Sequence, residues 1–84
     1  VEKQVGRVTH YFGKAGVAAI ELEGELQVGD IIHVVGHTSD WTQRVGSMQI
    51  EHESVEKAGA GDVVGLKVDG HAREHDVVYK VTDE

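Results

Sequence analysis

Short apolar–polar alternations, glycine-centred turns between them and the lack of a helical period as long as about ten residues predict an all-β fold. The specific expectation is a small six-stranded antiparallel β-barrel occupying residues 1–84 as a single domain. At 84 residues the chain is near the lower end of what buries an adequate core unaided. Its 39% hydrophobic and 27% charged residues are the balance of a folded domain rather than a disordered tail.

The strands are expected over residues 5–11, 18–22, 31–35, 41–50, 64–68 and 77–81. In the second, Ala18, Ile20 and Leu22 share one face while Ala19, Glu21 and Glu23 take the other, the pattern of a half-buried strand. The same period sets Val64, Leu66 and Val68 against Gly65 and Lys67, and Val77, Tyr79 and Val81 against Val78 and Lys80. Turn chemistry separates the runs at 13–16, 24–25, 28–30, 36–40, 58–62 and 69–70, where most of the 11 glycines fall. With no proline to blunt an edge strand, closure into a barrel is the expected protection.

The segment 41–50 carries a change of phase, since Val45 is off the register of Met48 and Ile50. A bulge at Gly46 would bring all three into the core; otherwise Val45 faces solvent. Residues 51–58 are the one helix-like stretch and are too short to stand alone.

Several chemistries are excluded by what is missing. Without cysteine there is no disulfide, thiolate zinc site or cysteine nucleophile. No phosphate-binding G-x-x-x-x-G-K-[S/T] loop exists, and Gly13-Lys14-Ala15-Gly16 reads as a turn. Ser39, Ser47 and Ser54 lack the context of a nucleophile. The chain is therefore expected not to be an enzyme and to hold no cofactor.

No metal site is expected either. His33/His37 and His71/His75 are four residues apart, but on a strand that spacing separates side chains by roughly 13 Å. Glu51, Glu53 and Glu56 read as a charged outer face, with a cation site or an acid/base pair as the rarer alternative. Tyr11 and Trp41 are expected in core or rim packing rather than stacked on bases.

The net charge of −7, from 15 acidic and 8 basic residues, disfavours non-specific nucleic-acid binding. No run approaches the roughly 20 apolar residues of a membrane helix, and no leader opens the sequence, so a cytoplasmic chain without a membrane role is expected. Val1 leaves two readings open, a processed chain or a segment of something larger.

Four ordered motifs carry a family resemblance. Residues 26–36, Leu-Gln-Val-Gly-Asp-Ile-Ile-His-Val-Val-Gly, follow the opening Gly6-Arg7-Val8. Residues 45–52, Val-Gly-Ser-Met-Gln-Ile-Glu-His, and 58–66, Ala-Gly-Ala-Gly-Asp-Val-Val-Gly-Leu, come next, and 76–81, Asp-Val-Val-Tyr-Lys-Val, close the chain. Together they resemble the second domain of the elongation factor Tu and 1A superfamily, with His75 where that family usually has glycine. Short stand-alone elongation-factor-like proteins resemble the whole chain, and the opening strands also resemble the C-terminal barrel of collagenase-like peptidases.

The resemblance implies a non-catalytic binding module whose face holds Gln49 and His52. In elongation factor Tu this barrel receives the aminoacylated 3′ end of transfer RNA, so the implied partners are the ribosome, transfer RNA or a translation-related protein. Here Glu21 and Glu23 stand where that family places arginines, which argues against delivery of aminoacyl-tRNA. The second reading is an accessory or protein-interaction barrel without an RNA role, cut from a larger protein such as a collagenase-like peptidase.

Overall fold

A computed structural model describes residues 1–82, which form ten strands and no helix. They are β1 (Glu2–Phe12), β2 (Val17–Leu22), β3 (Leu26–Gln27), β4 (Ile31–Val35), β5 (Asp40–Arg44), β6 (Met48–Ile50), β7 (Glu53–Val55), β8 (Lys57–Ala58), β9 (Val63–Lys67) and β10 (Val77–Val81). All pairings among them are antiparallel. Eight strands form one sheet in the order β5-β4-β10-β1-β2-β9-β6-β7, and β3 pairs with β8.

The inner face follows the alternation. Ala18, Ile20 and Leu22 from β2, Val64 and Leu66 from β9 and Ile32 and Val34 from β4 are buried in one core with Val5, Val8 and Val78. Opposite residues in the ladder keep this face consistent, as in Ile20 against Val64 and Ala18 against Leu66. Residues 18–22 and 64–68 therefore lie as the two-residue period predicts, although β9 itself ends at Lys67.

Three expectations are corrected. Residues 77–81 do form a strand, but its inward side chain is Val78, while Val77, Tyr79 and Val81 are half-buried on the outer face. The register decides this, because Val78 stands between Gly6 of β1 and the buried Val34 of β4. Residues 41–50 are not one strand. The ladder with β4 ends at Arg44. Val45 still bonds to the residues before β4, its N–H donating to Asp30 O at 2.8 Å and its O accepting Gly29 N–H at 2.9 Å, and the next strand begins only at Met48. Val45 and Met48 are buried and Ile50 packs partly buried on the core, so the burial expected of a bulge is reached through a break between β5 and β6.

Residues 51–58 supply the third correction and two of the four strands beyond six, the others being β3 and the division of 41–50 into β5 and β6. They carry β7 and β8, and Glu51 and His52 form a two-residue turn between Ile50 and Glu53, with φ values of 50° and 69°. Positive φ at both central residues is the type I′ geometry that matches strand twist in a tight hairpin. Ile50 and Val55, packed against the core, hold the hairpin down.

A side-chain bridge links β5 with the end of β9. Gln43 Nε2 donates to Lys67 O at 2.8 Å, and its Oε1 accepts the Asp69 N–H at 2.9 Å.

Candidate binding groove

The outer face of β1, β2, β9 and β6 contains a groove because small side chains sit in the middle of it. Ala19 and Gly65 are opposite one another in the β2–β9 ladder, and Gly65 in turn faces Gln49 of β6. Phe12 and Val17, paired at the end of β1 and the start of β2, form one wall. Val63 forms the other, and the Glu51–His52 turn makes a lip. The space is about 420 Å³, within the range of ligand clefts.

The walls are apolar and open to solvent, with Phe12 49% and Val63 50% exposed. Neither lysine nor arginine lines the groove; its ionisable groups are Glu51 and His52. Gln49 and His52 are thus brought to the same groove, Gln49 from the ladder of β6 and His52 from the turn that follows. Sequence reading missed Phe12, Val17, Ala19, Val63 and Gly65. The signal was available in part, since Val17, Ala19 and Val63 are apolar residues on the side opposite the buried alternation.

A second cluster lies on the outer face of β1, β10, β4 and β5. His33 Nδ1 lies 2.9 Å from both carboxylate oxygens of Glu2, and Nε2 lies 2.5 Å from Asp40 Oδ1. Carboxylates only accept, so this arrangement suits the imidazolium, in which both ring nitrogens donate. Asp40 first and Glu2 second hold the His33 pKa above its ordinary 6.5, against a smaller opposing effect of burial.

Trp41 and Tyr11 pack partly buried against the core. The indole Nε1–H donates to His71 O at 2.8 Å, and the Tyr11 ring meets His71 edge-on at 5.2 Å between centroids. Among the described residues no group of three or more histidine or acidic side chains is arranged to hold a metal ion. Among the described residues no helix is long and apolar enough to cross a membrane.

The fold is that of a small antiparallel all-β domain of the kind found second in translation factors. The chain belongs to the elongation factor Tu domain 2 family, which it matches over residues 21–83. Its curated relatives include an uncharacterized protease of Methanocaldococcus jannaschii, 43% identical over 77 residues, which are 90% of this chain and 19% of that protein. A collagenase of Porphyromonas gingivalis is 37% identical over 78 residues, 90% of this chain and 22% of the collagenase. The chain thus spans about one-fifth of the length of these relatives.

Among solved structures, the C-terminal domain of a Geobacillus thermoleovorans protein described as a U32 peptidase superposes with a TM-score of 0.89. It is 19% identical, and the match covers 95% of this chain and 93% of that domain, a likeness of fold alone.

Proposed function

We propose that the chain is the non-catalytic accessory domain of a longer peptidase-related protein, a closed β-barrel that acts by binding through the groove holding Gln49 and His52. The observation that carries this reading is the lining of the groove. Half-exposed apolar walls with Glu51 at the lip offer contact area to a polypeptide and no lysine or arginine to neutralise a phosphate. Relatives named as a protease and a collagenase, in which the matching segment is a minor part, favour the accessory reading over a ribosomal or transfer-RNA role. Closure is supported by Gln43, which ties β5, at one end of the strand order, to Lys67 at the end of β9 and to Asp69 just beyond it.

The test separates the segment from the rest of the longer polypeptide and assays each on a short test peptide. Hydrolysis is expected from the remainder and not from the segment. Hydrolysis by the isolated segment would overturn the reading.

A further inference from the structure

We infer that the groove takes an extended polypeptide segment that seats one apolar side chain over Ala19 and Gly65 and sets a lysine or arginine beside Glu51. The inference rests on the binding reading above and names the occupant. Gly65 is the first ground for it. A glycine inside a strand weakens it and commonly marks close approach by a ligand or another backbone.

Among the described residues nothing demands that glycine. Its φ is not positive, and a Cβ built there would meet Val17 Cγ1 at 3.4 Å and Gln49 O at 4.0 Å, ordinary contacts. The missing side chain instead leaves a floor that, with Ala19, lies open between Phe12 and Val63. An apolar side chain fits that gap in size and chemistry, and the exposed Gln49 amide can donate to and accept from the backbone of an extended segment.

Charge selects the flanks. Glu51 stands at the lip, and Glu21 is opposite Val63 in the ladder, beside Arg7. Lys67 is across from Val17, and Lys14 is in the β1–β2 turn, both outside the lining. At the turn end the approach is therefore acidic, on a chain of net charge −7 that draws in basic partners. A single-stranded nucleic acid would bring phosphates to that end with no lysine or arginine in the groove to meet them.

The experiment is amide-resolved NMR of the chain titrated with two capped hexapeptides, Gly-Lys-Leu-Phe-Lys-Gly and Gly-Asp-Leu-Phe-Asp-Gly, and with a transfer-RNA acceptor-stem oligonucleotide. Saturable shifts of Ala19, Gly65, Gln49 and His52 are expected with the lysine peptide, at least about fivefold weaker with the aspartate peptide. Gly65→Val, with the rest of the spectrum retained, should abolish them. Glu51→Lys, on an exposed turn, should remove or reverse the preference between peptides.

No shift at these amides with the lysine peptide, equal binding of the two peptides, or oligonucleotide binding in the groove would each overturn the inference. If the peptides fail while groove substitutions still weaken the longer protein on a macromolecular substrate, the binding reading stands and only the occupant is wrong.

Discussion

His33 ties Asp40 of β5 to Glu2 of β1, through Nε2 at 2.5 Å and Nδ1 at 2.9 Å, across four neighbouring strands of the sheet. The folded chain therefore holds the His33 proton more tightly than the unfolded chain does. That stabilisation is complete below about pH 6.5 and is lost as pH rises through the raised folded pKa. Urea midpoints measured from about pH 6 to pH 9 are expected to fall with pH in the native chain. The fall should be smaller in His33→Gln, and equal slopes would show that the bridge contributes nothing.

Gly36 faces the buried Asp76, and a Cβ on Gly36 would overlap the Asp76 carboxylate. Asp76 cannot easily withdraw, because Oδ2 accepts the Arg73 N–H at 3.0 Å. Gly36→Ala is expected to destabilise by at least about 2 kcal/mol in chemical denaturation. At Gly46, where a Cβ would meet nothing within 4 Å, the same substitution should cost much less.

His75 has φ of 76°, while its N–H donates to Val8 O at 2.8 Å. A side chain costs roughly 1–2 kcal/mol in that left-handed conformation, and glycine returns part of the gain as unfolded-state entropy. His75→Gly should stabilise by about 0.5–1 kcal/mol, read as a higher denaturation midpoint.

Leu66 is buried against Ala18 and Met48 in the ladder. Leu66→Ala is expected to cost roughly 2–4 kcal/mol. A change under about 0.5 kcal/mol would mean that the core tolerates the cavity as if Leu66 lay at the surface.

Much of the fold was legible because alternation and turn glycines act locally. Residues 18–22 and 64–68 have one apolar face each, and the Val-Gly-Asp and Ala-Gly-Asp turns sit where the chain reverses. Residues 77–81 were harder, since apolar side chains occupy both faces and only the pairing of Val78 with Gly6 and Val34 selects the inner one. The β6–β7 hairpin was hidden because Glu51-His52 lacks the asparagine or glycine that advertises a type I′ turn. Gln49 and His52 could be named from a motif. The groove they border could not, because its floor is defined by the smallness of Ala19 and Gly65, which meet only when β2 and β9 pair.

The domain is proposed to bind rather than catalyse, and the most direct measurement is a kinetic split in the longer peptidase-related protein proposed above. Phe12→Asp with Val63→Asp places two charges on exposed walls of the groove and leaves the core untouched. On a protein substrate the double variant is expected to raise KM by roughly tenfold with kcat unchanged, and to leave hydrolysis of a short peptide as it was. Unchanged KM on the protein substrate, or a loss of kcat on the short peptide, would contradict the account.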